Sequence, residues 1–299
     1  MDYVVAVLNS PKLAGLLGKE GSKNGITLYN RIYNDNTLVI ASPTDVEAKF
    51  QAVAQSLLIA DTSIVSTENV DKHLGEILIA CSLIDRNILI TDENDISALL
   101  SNIYISGKKT INRENALDEI LKCGYAGKKT EGTYFRIDVD KSFDVKGIGT
   151  VCLGIVRYGI AKVHDKVYAP DGKEGTIRSL QSQDRNINSA GKGVRVGVAL
   201  KGIASEQIEK GNVLSNRIFQ KSKMLKINIK LSNINQEKIE NGKKYLLVFG
   251  FDYINGTLNE FDGKSASFEL DREAQVEKGD EVLLLRTAMP RIFGSGIII

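Results

Sequence analysis

An α/β domain with a parallel sheet, followed by two small β-barrels, is the architecture to which this 299-residue chain points. Three features carry that expectation. Apolar segments alternate with helical patterns through residues 1–125. A glycine-rich break without apolar periodicity follows at Gly124–Gly132. Beyond it come short alternating strands punctuated by glycine, in two successive runs. The expected division is 1–130 for the α/β domain, 131–220 for the first barrel and 221–299 for the second.

In chain order, Tyr3–Leu8 reads as a strand and Leu13–Leu17 as a short helix. Thr37–Ala41 is a strand, and Asp45–Ala60 a helix with Phe50, Val53, Ala54, Leu57 and Leu58 on one face. Thr62–Ser66 is a strand, Val70–Leu83 a helix and Asn87–Thr91 a strand. Ile96–Leu100, Tyr104–Ser106 and Asn112–Lys122 continue the alternation. Near-continuous apolar strands separated by helices indicate a parallel sheet covered on both faces. Gly124–Gly132, which holds Lys128-Lys129, reads as a linker between domains. The first barrel is expected from Phe135–Val139, Thr150–Arg157, Lys166–Tyr168, Gly175–Leu180, Arg195–Leu200 and Asn212–Leu214. The second is expected from Leu225–Leu231, Lys244–Phe251, Gly256–Leu258, Ser265–Leu270, Glu281–Arg286 and Gly296–Ile299.

Composition narrows the function classes. Hydrophobic content of 42% and charged content of 25% suit a globular, water-soluble chain. No apolar run approaches the roughly 20 residues that span a bilayer, and the N-terminus lacks the features of a secretory signal. A cytoplasmic location follows as the expectation. Cys81, Cys123 and Cys152 are far apart and odd in number, which argues against a disulfide framework or zinc knuckle. With only His73 and His164, no histidine-centred metal site or catalytic triad is expected. Charge is uneven: residues 1–132 carry 13 basic against 17 acidic side chains, and residues 133–220 carry 14 against 9. The middle segment is therefore the candidate for an anionic partner.

The junction after the first strand bears most directly on chemistry. In nucleotide-binding α/β domains it carries G-x-x-x-x-G-K-[ST], whose backbone N–H groups and lysine hold phosphates and whose hydroxyl holds magnesium. Here it reads Asn9-Ser10-Pro11-Lys12. The glycines and the hydroxyl after the lysine are missing, and Pro11 removes a backbone donor. Gly18-Lys19-Glu20-Gly21-Ser22 is the nearby glycine–lysine stretch, but it follows a helix instead of opening one.

Residues 134–214 resemble domain II of the elongation factor Tu class. The resemblance rests on Phe135–Asp138, Phe143–Val151, Gly154–Val156, Gly159–Val163, Val196–Ile203 and Ile208–Leu214. Ile177–Ser182 leans toward the archaeal selenocysteine-specific branch, SelB. Leu284–Arg286 through Phe293–Ile299 looks like the last hairpin of domain III, so the further C-terminal domain of that branch is not expected. The first domain resembles a factor G domain in degraded form. Gly18–Ser22 and Ile26–Asn30 look like the segment after the phosphate loop, with a truncated first switch. The D-x-P-G-H stretch appears as Ala41-Ser42-Pro43-Thr44-Asp45, and the guanine-reading N-K-x-D stretch as Thr91-Asp92-Glu93-Asn94. Ala41, Thr44, Asp92 and Asn94 thus stand where the chemistry needs other groups.

Phosphoryl transfer needs a phosphate cradle, metal ligands and a positioned water. All three motifs depart from that need. The resemblance therefore implies a translation factor that neither binds nor hydrolyses GTP, with no cofactor and no metal. It further implies tRNA or ribosome binding through the two barrels, with no DNA or membrane partner. Asp140, Lys141 and Arg195 fall near the pocket that receives the aminoacyl group in the selenocysteine branch. Arg157, Arg178, Lys201 and Arg286 are further candidates for phosphate contacts. Two alternatives stay open: a protein-interaction scaffold using the former switch surface of the acidic first domain, and an active GTPase with unusual motifs.

Overall fold

The computed structural model describes residues 2–123, 134–234 and 237–299. The expected linker at 124–132, with Lys128 and Lys129, lies outside the described residues.

The first domain is built from β1 (Asp2–Leu8), α1 (Pro11–Leu17), β2 (Lys19–Lys23), β3 (Ile26–Tyr33), β4 (Asn36–Pro43), α2 (Gln51–Ile59), β5 (Thr62–Val65), α3 (Lys72–Ser82), β6 (Asn87–Thr91), α4 (Ser97–Leu100), β7 (Lys108–Ile111) and α5 (Ala116–Cys123). Its sheet has the order β2-β3-β4-β1-β5-β6-β7. β4, β1, β5, β6 and β7 run parallel, and β2 and β3 add an antiparallel margin. Val4, Val5, Ala6, Val7 and Leu8 of the central strand are all inaccessible to water. That is what a strand covered by helices on both faces requires.

Three local expectations change. Gly18–Ser22 and Ile26–Asn30, for which no strand was expected, fall in the β2–β3 hairpin, whose turn is Asn24-Gly25 with Gly25 at φ 76°. The helix expected from Asp45 starts only at Gln51, because Asp45 takes a left-handed φ of 54°. The strand expected at Tyr104–Ser106 falls after Gly107, at β7, where it pairs with β6.

The first barrel comprises β8 (Arg136–Val145), β9 (Gly149–Tyr158), β10 (Ala161–Lys162), β11 (Lys166–Tyr168), β12 (Glu174–Ser182), β13 (Arg185–Ile187), β14 (Ser189–Ala190), β15 (Arg195–Lys201) and β16 (Val213–Ser215). Six of these strands close in the order β11-β16-β8-β9-β15-β12, with β11 pairing back to β12. Phe135, Ile137, Val139, Val156, Ile177, Val198 and Leu214 fill the interior. At Gly154 the backbones of β8 and β9 approach so closely that a Cβ would lie 2.5 Å from the Asp138 carbonyl oxygen. The second barrel, β17 (Lys221–Leu231), β18 (Lys244–Phe249), β19 (Asp252–Phe261), β20 (Ser265–Gln275), β21 (Glu281–Leu285) and β22 (Ile292–Ile298), closes as β17-β20-β19-β18-β21-β22. Closure removes the free edges that an open sheet would expose.

The first domain and the second barrel share one apolar core. Val248, Phe251, Leu283, Leu285 and Ile292 pack in the same cluster as Val53, Leu57, Ile77 and Ile84. Every residue of α2 after Gln51 is buried, because the sheet lies on one side and β18 and β21 lie on the other. Arg291 pins this interface. Its backbone N–H donates to Glu76 Oε1 (2.6 Å) and its guanidinium to Glu76 Oε2 (2.6 Å) and to the Val46 carbonyl (3.0 Å). The guanidinium also lies 4.6 Å from the Phe50 ring centroid. Gln55 donates to the Phe251 carbonyl (2.5 Å) and Ser295 to the Leu83 carbonyl (2.8 Å).

Burial works to raise the Glu76 pKa. The hydrogen bonds and charge of Arg291 outweigh it, together with His73, and hold the carboxyl below its ordinary value of 4.5. Arg291→Met leaves Glu76 buried without its partner and is expected to cost about 3–5 kcal/mol in urea unfolding. Glu76's contribution is complete at neutral pH, above its unfolded pKa, and is lost as the pH falls through its depressed folded-state value. The urea midpoint of the wild-type chain therefore drops more steeply below about pH 4.5 than that of Arg291→Met. Parallel pH profiles for the two proteins would contradict this assignment.

Candidate functional site

Ligands of open α/β sheets bind beyond the carboxyl ends of the parallel strands. In this chain that crevice is occupied by its own side chains. Asn9, at the end of β1, takes a left-handed φ of 65° and donates from Nδ2 to the Ser66 (3.0 Å) and Asn69 (2.8 Å) carbonyls. Ser10 caps α1, its Oγ accepting from Leu13 N–H (3.1 Å), and Pro11 stands at the first helical position. With seven residues, α1 is two turns long.

Glu68, just after β5, brings a carboxylate to the start of α1. Ser10 donates its hydroxyl to Glu68 Oε2 (3.3 Å), and Arg113 Nη1 lies 3.4 Å from the same oxygen. Lys12 Nζ stands 3.6 Å from Oε1. The groups at the β1–α1 junction thus engage an anion supplied from within. Arg113 also reaches Glu93, at 3.6 Å. Burial works to raise the Glu93 pKa, but hydrogen bonds from Thr91, its own backbone and Thr67 prevail and lower it.

Of the other degenerate positions, Asn94 and Thr44 are held by hydrogen bonds within the chain. Asn94 Nδ2 donates to the carbonyls of Thr67 (2.8 Å) and Glu68 (3.2 Å), and Asp92 beside it is exposed. Ala41 is buried in β4. Thr44 donates from both N–H (3.0 Å) and Oγ1 (2.8 Å) to the Gly25 carbonyl, tying this stretch to the β2–β3 turn. Among the described residues no group of three or more His, Cys, Asp or Glu is placed to hold a metal ion.

On the first barrel, Asp140 and Arg195 come together at the face turned toward β2, while Lys141 is exposed and lies 5.6 Å from the Phe143 ring centroid. A register shift between Val139 and Lys141 accompanies that divergence of neighbours. Asp140 is 1% exposed. Ser22 donates its hydroxyl to Asp140 Oδ2 (3.0 Å), and Lys210 Nζ stands 3.7 Å from Oδ1. Burial lowers the pKa of both Arg195 and Lys210, with Asp140 acting in opposition. Gly21 lies so near Arg195 that a Cβ would be 2.8 Å from Nη1. A cleft of about 700 Å³ opens beside this pair, between Lys19, Gly21 and Arg31 on the first domain and Gln181, Asp184 and Arg195 on the barrel.

The remaining candidates are dispersed. Arg157 donates to the Leu58 (2.9 Å) and Ile59 carbonyls at the end of α2. Arg178 donates to the Ile148 carbonyl (2.9 Å), and Lys201 is exposed. Arg286 donates to the Pro290 carbonyl (3.0 Å) and Glu237 (2.8 Å). Sequence reading did not single out Glu68, Thr67 or Arg113. The position of Thr67-Glu68 just past an apolar parallel strand is the signal that could have found them. Ser22 and Lys210 had no such signal, because they meet Asp140 from 118 residues upstream and 70 downstream.

Comparison with known proteins gives these sites a context. Residues 149–215 match the elongation factor Tu domain 2 family. The chain is 29% identical over 295 residues to an uncharacterized protein of Methanocaldococcus jannaschii, covering 94% of each. It is 26% identical over 200 residues to the selenocysteine-specific elongation factor of that organism, covering 58% of this chain and 42% of the factor. The fold is shared with the crystal structure of translation elongation factor SelB from Methanococcus maripaludis in complex with the GTP analogue GppNHp. That match has a TM-score of 0.81 and 20% identity, over 99% of this chain and 78% of the other.

Restoring the acid at position 94 is not expected to restore guanine recognition. Asn94→Asp replaces an amide donor with an acceptor that faces two carbonyls, and should cost about 1 kcal/mol. Thermal unfolding of Asn94→Asp with and without GDP checks both statements. Stabilisation by GDP would show that the crevice is open to a base.

Proposed function

We propose that this chain, which belongs to the translational GTPase superfamily and is related to the selenocysteine-specific factors, is an elongation-factor-like protein that neither binds nor hydrolyses GTP. The observation that carries this reading is the filled crevice. Ser10, Lys12 and Arg113 already hold the carboxylate of Glu68, and Asn94 is spent on the Thr67 and Glu68 carbonyls. A nucleotide would have to displace this network and would then find neither the glycine cradle nor the magnesium-binding hydroxyl. The long interface around α2 and Arg291 supports a single dominant domain arrangement, since no γ-phosphate is available to reorder a switch.

In this reading the chain works in the cytoplasm by binding RNA, tRNA or the ribosome, through the two barrels. Lys141 and Lys201 are exposed cations of the first barrel, whose segment carries the excess of basic side chains. Asp140 and Arg195 are held against the β2–β3 hairpin, so an aminoacyl end would reach them only after the hairpin lifts. That cover favours a second reading, a protein-interaction scaffold without RNA.

Two measurements decide. Thermal unfolding with GTP, GDP and Mg²⁺ should show no concentration-dependent stabilisation, and a saturable rise in melting temperature would refute the pseudo-GTPase reading. Salt-titrated gel shifts with tRNA should show binding at low salt that weakens as salt rises, with the slope reduced by about one for each contacting lysine replaced, tested with Lys141→Gln and Lys201→Gln. No shift at low salt would remove the RNA reading and leave the scaffold.

A further inference from the structure

β2 is the outermost strand of the first sheet, and it is held differently from the rest of it. None of its side chains is buried. Lys19, Glu20, Ser22 and Lys23 pair with Asn30, Tyr29, Leu28 and Thr27, and Gly21 is passed over as a bulge that interrupts the ladder. β3, by contrast, pairs with β4 along its whole length and buries Ile26, Leu28 and Tyr29. Both ends of β2 are anchored. The Gly18 N–H donates to the Ala14 carbonyl (3.1 Å), and the Gly25 carbonyl accepts from the N–H (3.0 Å) and hydroxyl (2.8 Å) of Thr44. β2 is therefore a strap, fixed at both ends, with no apolar side chain to hold its middle. Segments with few buried apolar contacts open at low free energy while the remainder stays folded.

Polar contacts to the first barrel hold the middle instead. Ser22 donates its hydroxyl to Asp140 Oδ2 (3.0 Å), Asn24 donates from Nδ2 to the Asp140 carbonyl (3.5 Å), and Lys210 donates to the Asn24 carbonyl (2.6 Å). Gly21 lies against the Arg195 guanidinium. This closure is incomplete. Asp140 Oδ1 and Arg195 Nε are buried without a hydrogen-bond partner among the described residues. A buried polar atom left unpaired carries a desolvation cost. Water admitted when β2 opens removes that cost and partly offsets the bonds lost. Lys19 and Gly21 also form one wall of the cleft beside Arg195, so movement of β2 widens it toward the pair.

We propose that β2, from Gly18 to Gly25, is an autoinhibitory strap. It opens on its own while β3, the rest of the sheet and both barrels stay folded, and its opening bares Asp140 and Arg195. Because one strand moves and no domain does, the strap is compatible with the fixed interface around α2 and Arg291. The proposal rests on the RNA reading above only for what enters the bared site.

Native-state hydrogen exchange of the full chain at increasing urea, read by mass spectrometry, tests the opening. Amides of β2 are expected to exchange through an opening that urea below the unfolding midpoint barely changes, while those of β1 and β4 exchange through urea-dependent global unfolding. Ser22→Ala removes one hydrogen bond to a carboxylate and should speed exchange in β2 about tenfold. Ser22→Thr, which keeps the hydroxyl, should stay close to wild type. Exchange of β2 only with the global transition, or a β2 rate that Ser22→Ala leaves unchanged, overturns the proposal. The tRNA gel shift reads the gating. Where only the open fraction binds, apparent affinity follows that fraction, so Ser22→Ala should bind about tenfold more tightly than wild type. Equal affinity of two proteins that differ in strap opening refutes the autoinhibitory role. Absence of tRNA binding to both refutes the RNA reading instead, and the strap then stands or falls on the exchange.

Discussion

Burial of α2 on all sides is the constraint on which the rest of the structure depends. A helix at the surface of an α/β domain ordinarily keeps one polar face in water. Here the second barrel occupies that side, so Val53, Leu57, Val248, Phe251 and Leu283 belong to one core. Charge had to follow. Glu76 is 4% exposed and is tolerable there because Arg291, arriving from the other domain, supplies several hydrogen bonds at once. Separating the domains would expose the apolar core and strand both charges together, which makes the arrangement cooperative.

The crevice at the ends of the parallel strands follows the same economy of charge. Burying part of a carboxylate costs free energy unless donors surround it. Glu68 finds Ser10, Lys12 and Arg113, and Glu93 finds Thr67, Thr91 and Arg113. The hydroxyl and cationic groups of this junction are thereby paired within the chain. An intramolecular anion has the advantage of high effective concentration, since it pays no translational entropy on binding. At the Asp140–Arg195 pair the hairpin β2–β3 plays a comparable part, with Ser22 in contact with the buried acid.

Much of the molecule was legible in the chain itself. The apolar runs Tyr3–Leu8 and Ile88–Thr91 are buried, as strands of a parallel sheet covered on both faces must be. The glycine-punctuated strands after residue 134 close into barrels, with Gly154 at a close backbone approach. The β2–β3 hairpin was not legible: Lys19-Glu20-Gly21-Ser22-Lys23 has no apolar alternation, and it is a strand because β3 beside it offers a ladder. The start of α2 was misplaced because apolar periodicity does not report a left-handed residue such as Asp45.

Alternation, loop chemistry and the loss of glycine and hydroxyl at Asn9–Lys12 are local properties, and the sequence by itself determined them. Which side chain fills the space so left is a long-range matter. Glu68 meets Ser10 across 58 residues and Arg291 meets Glu76 across 215, separations that no local pattern encodes. The tertiary structure decided those pairings, because hydrogen bonds act over about 3 Å and only the folded chain sets which groups come that close.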